Sequence, residues 1–111
     1  MTEKYLKLND IDAYKISFHL SNYVWNATGK WDYFAKHTVG EQFVDAVDSI
    51  SANIAEGFGR YFKKDKIKFY WYSAGSVKEC FDWNEKSKIR KLLTEKSMRI
   101  FSKSCKSFPK L

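Results

Sequence analysis

The sequence predicts an all-α protein, an antiparallel up-down-up-down four-helix bundle, because helix breakers are scarce and apolar residues recur at helical spacing. The chain has 111 residues, with five glycines and a single proline, Pro109. So few breakers argue against many short strands joined by tight turns. The length suits one domain, residues 1–111, with a modest core. We predict helices at about residues 8–27, 39–56, 63–86 and 88–107.

The first predicted helix carries more apolar surface than one core-facing stripe needs. Asn9 or Asp10 can cap its start, and Gly29 can end it. One stripe consists of Ile11, Tyr14, Phe18 and Trp25, and a second consists of Ala13, Ile16, Leu20, Val24 and Ala27. The aromatic link that follows, residues 30–37, is expected to pack on the core.

The second predicted helix is amphipathic and leads into the turn Gly57-Phe58-Gly59-Arg60. Its stripe consists of Phe43, Val47, Ile50 and Ile54. A glycine just past a helix can take a left-handed backbone conformation without steric cost. The second glycine and the arginine indicate a tight turn that presents a cation. We interpret Asn53 and Glu56 as hydrogen-bonding this turn or a neighbouring helix, in preference to a ligand.

The third predicted helix also carries two apolar stripes. The first consists of Ile67, Tyr70, Trp71, Ala74, Val77 and Phe81, and the second of Phe69, Tyr72, Ser76, Cys80 and Trp83. A mid-helix glycine such as Gly75 costs about 1 kcal/mol relative to alanine, so we expect another backbone to approach it. The fourth predicted helix is basic, has apolar positions at Leu93, Ile100, Phe101 and Phe108, and ends at Pro109.

The second stripes on helices one and three exceed what a monomeric bundle buries. Self-association is therefore expected, through an oligomer interface of Leu20, Val24, Phe69, Tyr72 and Trp83. A wide core stripe, or a docking groove for another protein, are the alternatives.

The charge favours a polyanionic partner. The chain carries a net charge of +7 and 18% aromatic residues. Five cations alternate with aromatic residues in one run and are the predicted nucleic-acid-binding residues: Arg60, Lys63, Lys64, Lys66 and Lys68. Such a run can neutralise phosphates and stack bases. The alternative is a solvated helix start whose rings turn into the core.

The sequence contains no pattern typical of an enzyme. Gly57-x-Gly59 follows a helix instead of a strand, and His19 and His37 complete no zinc spacing. We therefore predict no catalytic residue, no metal and no cofactor. Cys80 and Cys105 are expected to be reduced thiols. A cytoplasmic location without membrane contact is expected, because the sequence has neither an apolar run of about 20 residues nor a secretory leader.

One long motif resembles a known family. Gln42, Ser49-Ile50-x-x-Asn53-Ile54-Ala55-Glu56-Gly57-x-Gly59-Arg60 and Gly75-Ser76-x-x-Glu79 resemble the 23S rRNA-intervening sequence proteins. This four-helix-bundle family is related to the accessory variability protein of diversity-generating retroelements. The resemblance implies a bacterial cytoplasmic homopentamer with basic surfaces suited to RNA or to a nucleic-acid enzyme. The sequence departs from the family pattern at Asp45, where a basic residue is frequent, which weakens a nucleic-acid surface on helix two.

These observations favour a non-enzymatic oligomer that binds nucleic acid, preferably RNA, through repeated basic patches. A role as accessory to a nucleic-acid enzyme such as a reverse transcriptase is the corresponding expectation. The alternative is a structural or protein-interaction module that does not bind nucleic acid.

Overall fold

The computed structural model describes residues 7–94, 96, 99 and 103, and every regular element among these residues is helical. The all-α fold class is therefore confirmed. In chain order the elements are a 3₁₀ turn Leu8–Asp10, α1 Asp12–Thr28, α2 Tyr33–Ala35, a π-helical segment Lys36–Gly40, α3 Glu41–Phe58 and α4 Lys63–Ile89. None of the described helices is long and apolar enough to cross a lipid bilayer.

The first three predicted helices correspond to α1, α3 and α4, with shifted ends. α1 begins later than predicted because the 3₁₀ turn Leu8–Asp10 precedes it. At this turn the Asp10 carboxylate accepts a hydrogen bond from the Lys7 backbone N–H at 2.8 Å. α4 continues through Ile89, so the predicted helix break near residue 87 is wrong. The break lies at Lys91, whose φ of 59° is left-handed. Most of the predicted fourth helix, with Cys105 and Pro109, lies outside the described residues.

α3 is the central helix, and its apolar stripe contacts both α1 and α4. Spacings of three and four residues place its buried side on one face: Phe43, Ala46, Val47, Ile50, Ile54 and Gly57. Leu20 and Val24 of α1 and Cys80 of α4 complete this core. The prediction of α3 as an amphipathic helix with this stripe is confirmed.

The helices that flank α3 fully bury only narrow lines, which combine members of the predicted stripes with small and polar side chains. Other stripe residues, such as Val77 and Phe81, are partly buried against the core. The buried residues are Ser17, Leu20, Val24 and Thr28 in α1, and Ser73, Cys80, Asn84 and Ser87 in α4. Small side chains allow helix axes to approach closely. The Ser73 hydroxyl, for example, donates a hydrogen bond to the backbone carbonyl of Ile50 in α3 at 2.9 Å. Larger residues of the predicted stripes, including Phe18 and Trp71, remain exposed as a result.

The link between α1 and α3 is mostly helical. The Asp32 carboxylate caps α2 by accepting a hydrogen bond from the Ala35 N–H at 2.9 Å. The Glu41 N–H then donates to the carbonyl of Lys36, five residues earlier, which is the π-helical spacing. Trp31 packs against the core, but Tyr33 and Phe34 are 79% and 77% exposed. The prediction that this aromatic link packs on the core is therefore only partly correct.

A glycine is needed at position 57 because α4 approaches closely there, and not because the backbone is left-handed. No glycine in residues 7–94 has positive φ, so the left-handed conformation predicted for this turn is wrong. A Cβ added to Gly57 would lie 3.0 Å from the Cβ of Phe69 and 3.3 Å from the carbonyl oxygen of Lys66. Gly59 is the C-cap of α3 in right-handed geometry.

Gly75 has the opposite environment from the one predicted. It is exposed, and a Cβ at this position would have no atom within 4 Å. No backbone among the described residues approaches it.

The two glycines give a paired test of this packing. Gly57→Ala should lower the free energy of unfolding by about 1–3 kcal/mol, because the added methyl overpacks the contact between α3 and α4. Gly75→Ala should raise it by about 0.5–1 kcal/mol through helix propensity alone. Urea unfolding of both variants measures the difference. Equal effects would show that Gly57 does not define a close contact.

Candidate nucleic-acid interface

Arg60 contacts both of the helices that its turn connects, α3 and α4. Its Nη2 lies 2.6 Å from Oε1 of Glu56, one helical turn earlier. Its guanidinium carbon lies 4.7 Å from the centre of the Phe69 ring in α4. Arg60 thus connects the end of α3 to the start of α4, as the prediction of a specified turn required, and part of its charge is neutralised by Glu56.

Lys66 also has a structural role. Its Nζ donates a hydrogen bond to the backbone carbonyl of Phe58 at 2.9 Å and lies 5.7 Å from the centre of the Phe58 ring. That carbonyl is one of the last in α3, and such carbonyls lack partners within their own helix. A cation here also interacts favourably with the negative end of the helix dipole. Lys66 is therefore partly buried and is not freely available to a ligand.

The other three predicted cations are exposed. Lys63 and Lys64 form the first positions of α4, and Lys68 follows one turn later with its Nζ 5.9 Å from the centre of the Tyr72 ring. None of the ion pairs found among the described residues includes them. The structure therefore divides the predicted set of five into two structural cations and three available ones.

Two aromatic side chains extend into solvent beside these lysines. Tyr61 is 89% exposed and Phe62 is 64% exposed, and their rings meet edge to face with centres 5.1 Å apart. The alternative that these rings turn into the core is thus excluded. We refer to Tyr61, Phe62, Lys63, Lys64 and Lys68 as the α3–α4 tip. The aromatic residues of the tip were not among the predicted site residues, although their alternation with lysine was visible in the sequence.

The motif residues on α3 form hydrogen bonds mainly within that helix. The Ser49 hydroxyl donates to the carbonyl of Asp45 and the Asn53 side-chain amide donates to the carbonyl of Ser49, each at 2.8 Å. Only Glu56 reaches the turn, through Arg60. The predicted hydrogen bond from Asn53 to the turn is therefore wrong.

The second half of the motif lies along α4, away from the turn. The Ser76 hydroxyl donates to the carbonyl of Tyr72 at 3.2 Å, and Glu79 Oε2 accepts from Trp83 Nε1 at 3.4 Å. Glu79 and Arg60 therefore do not pair, and the two halves of the motif do not form one site. Gly75 and Glu79 are exposed, so this half of the motif faces solvent.

The predicted oligomer interface is divided by the structure. Leu20 and Val24 are 2% and 3% exposed and lie in the core of the single chain, so their assignment to an interface is corrected. Both residues belong to the second apolar stripe of α1, and they are buried because that side of the helix faces α3. Phe69 and Trp83 are half-buried, and Tyr72 is exposed. The sequence did not predict that Phe18 and Trp25 are the large apolar side chains of α1 that remain exposed.

An open groove between α1 and α3 has the opposite charge to the tip. Its volume is about 680 Å³, and its lining includes Trp25 and three carboxylates, Glu41, Asp45 and Asp48, against one lysine, Lys36. Glu41 lies 3.0 Å from Nδ1 of His37, and Asp48 accepts a hydrogen bond from Ser21. Carboxylates repel phosphate, so this side of α3 is unsuited to nucleic acid, as Asp45 had indicated. Within the described residues no group of three or more histidine, cysteine or acidic side chains could hold a metal ion.

The division of the cations can be tested through stability. Lys66→Met keeps an aliphatic side chain but removes the hydrogen bond to the Phe58 carbonyl, so it should lower the free energy of unfolding by about 1–2 kcal/mol. Lys64→Met should change it by less than about 0.5 kcal/mol, because Lys64 is exposed. Denaturant titration measures both values, and a stable Lys66→Met variant would contradict the structural role.

Comparison with known proteins gives one family. Comparison with curated proteins gives no match. The family model described as 23S rRNA-intervening sequence protein matches residues 9–111, which include the whole motif from Gln42 to Glu79. This match confirms the resemblance inferred from the motif. The chain therefore belongs to the 23S rRNA-intervening sequence protein family.

Proposed function

We propose that this protein is a non-enzymatic oligomer that binds nucleic acid, preferably RNA, through the α3–α4 tip of each copy. The observation that carries the proposal is the exposure of Lys63, Lys64 and Lys68 without carboxylate partners among the described residues. The family name, which refers to an rRNA, is loosely consistent with a role connected to RNA.

The position of these lysines supports a phosphate ligand. Lys63 and Lys64 occupy the first turn of α4, where the helix dipole is positive and cations are unfavourable. Asp65 is the acidic residue in that turn. A phosphate placed there would neutralise the lysines and interact favourably with the dipole and the first-turn amides. Binding would also release counterions from the nucleic acid, which is the main source of affinity in such complexes.

Exposed apolar surface supports the proposed self-association. Phe18 and Trp25 on α1 and Trp71 and Tyr72 on α4 are between 48% and 63% exposed. Monomeric proteins rarely expose so many large apolar side chains, and a second copy is the simplest partner. A closed ring, such as the homopentamer that the family resemblance implies, would present one tip per copy, so that weak contacts add.

The finer parts of the proposal follow from contacts and from family membership. Asp48 contacts Ser21, and Gly40, at the other end of α3, lies near Thr28, which supports an antiparallel pairing of α1 with α3. The contacts of Gly57 with Phe69 and of Ile50 with Ser73 support the same for α3 and α4. An antiparallel four-helix bundle, a cytoplasmic location and a role as accessory to a reverse transcriptase or similar enzyme complete the proposal.

A protein-interaction module without nucleic-acid binding is the second candidate. The specific observation in its favour is the acidic groove with exposed Trp25, which is suited to a basic protein segment. The two candidates predict different responses to salt, since only phosphate binding gives a steep dependence.

Removal of the three tip lysines should reduce the salt dependence of RNA binding. Replacing Lys63, Lys64 and Lys68 by alanine should make the slope of log K against log salt less steep by about 2, because each phosphate contact on a single strand contributes about 0.7. Fluorescence anisotropy with a labelled single-stranded RNA measures this slope.

A matched control replaces Lys30, Lys36 and Lys78, which are exposed elsewhere on the chain, by alanine. This variant loses the same charge and should retain most of the slope. Equal slopes in the two variants would assign binding to net charge instead of to the tip. If the parent protein does not bind at low salt, the interaction module is the better description.

The assembly proposal can be tested by adding a charge to α4. Tyr72→Glu should lower the mass measured by light scattering, because it places a carboxylate in the proposed interface. Ala52→Glu adds one carboxylate at an exposed position of α3 and should leave the mass unchanged. A monomeric parent, or a Tyr72→Glu variant with the parent's mass, would show that the exposed surface of α4 does not mediate assembly.

A further inference from the structure

We infer that the α3–α4 tip recognises single-stranded nucleic acid by stacking bases on Tyr61 and Phe62, while Lys63 and Lys64 bind the flanking phosphates. This inference rests on the proposed nucleic-acid binding and names the class of nucleic acid. The chemistry is that of sites that combine aromatic rings with cations and tolerate many sequences.

Ring exposure is the first argument. Tyr61 and Phe62 are 89% and 64% exposed, and their contact with each other is edge to face. In that geometry the edge of one ring covers only part of the other, so ring surface remains open to a flat ligand. Neither residue is part of the core cluster or of the residues packed against it.

The local structure at Phe62 is an independent argument. Phe62 is the N-cap residue of α4, with an extended backbone at φ −84° and ψ 136° and no side-chain capping hydrogen bond. Serine, threonine, aspartate and asparagine are strongly preferred at this position because they satisfy a first-turn N–H group. Phenylalanine cannot do so. The N–H groups of Asp65 and Lys66 donate to the Phe62 carbonyl, so the N–H groups of Lys63 and Lys64 are the ones left available to an anion. The same residue thus supplies a ring for a base and leaves backbone donors open to a phosphate.

The opposite end of α3 provides a contrast within the same chain. Tyr33 and Phe34 are adjacent and equally exposed, at 79% and 77%. Their helix is capped by the Asp32 carboxylate, which satisfies the Ala35 N–H and adds negative charge. Exposed rings therefore occur at both ends, but only at the tip do they adjoin an uncapped helix start with exposed lysines.

Stacking and simple charge attraction make opposite predictions about the strand form. In a duplex the bases are stacked on each other, so protein rings cannot reach their faces without unstacking them. A duplex also has the higher charge density, so a patch that acts by charge alone should bind it at least as tightly as a single strand. A preference for single strands is therefore diagnostic of stacking.

The experiment compares three labelled probes by fluorescence anisotropy with the full chain at one low salt concentration. The probes are oligouridine, oligodeoxyuridine and an RNA duplex of the same length. We expect both single strands to bind more tightly than the duplex, by about tenfold. Tighter binding of oligouridine than of oligodeoxyuridine would indicate contact with the 2′-hydroxyl, and equal binding would indicate that the tip accepts either strand chemistry.

Three variants test the named rings. Tyr61→Ala should weaken single-strand binding by about 10- to 100-fold and should abolish the preference over the duplex. Tyr33→Ala removes an equally exposed ring at the other end and should change binding by less than about twofold. Phe62→Ser should weaken single-strand binding but raise the midpoint of thermal unfolding by a few degrees, since serine caps α4. Opposite changes in affinity and stability cannot result from misfolding.

The outcomes separate this inference from the function on which it rests. If the duplex binds as tightly as the single strands and Tyr61→Ala has no effect, stacking is overturned and charge-based binding remains. If no probe binds the parent protein at low salt, both the inference and the proposed function are wrong.

Discussion

The close approach of α4 to α3 is the constraint on which the rest of this structure depends. α3 presents an unbroken apolar face, and α4 covers it with a line of small and polar residues around Cys80. These short side chains reach α3 only if the two helix backbones are close together. Gly57 permits this close approach at one end, and the hydrogen bond from Ser73 to Ile50 holds the helices together further along. The close contact depends on the absence of a Cβ at Gly57 and on the small or polar residues that α4 buries completely, while Val77, Phe81 and Trp83 pack partly buried beside them.

The same constraint determines the surface. Because narrow lines of α1 and α4 face α3, the large aromatic residues on either side of those lines are turned outward, as Phe18 and Trp71 illustrate. Charge is separated along α3 as well. Carboxylates surround its first turns, whereas its last turn leads to the lysines that begin α4. The proposed assembly and the proposed binding of a polyanion both depend on this surface, with its negative region, its positive region and its exposed rings.

The sequence predicted the helical fold and the central helix, because spacing alone determines which face of α3 is apolar. It did not decide which of the two apolar stripes of α1 faces the core, because they are similar in strength. Packing turns the side with Leu20 and Val24 towards α3, so Leu20 lies in the core and not in the predicted interface. In α4, members of both predicted stripes, Val77, Phe81 and Trp83, are partly buried against the core. The sequence shows five cations around the turn between α3 and α4. Their division was not visible, because only three-dimensional structure shows that Lys66 reaches the Phe58 carbonyl. The exposure of Tyr61 and Phe62 could not be predicted from the sequence for the same reason.

The π-helical segment Lys36–Gly40 has a consequence for how the two ends of the long helical stretch relate. A turn closed over five residues contains one residue more than an α-helical turn. The residues before it are therefore shifted by one position relative to regular α-helical spacing. Tyr33 and Phe34 are on that side, while the stripe of α3 keeps its phase from Phe43 onward. Loss of one residue between 36 and 40 would restore regular α-helical spacing, and it would leave the preceding aromatic pair facing nearly the same way, because the wide turn had taken up that residue. The π-helical segment thus lets the chain carry one more residue here without changing the direction of the aromatic end or the register of the core.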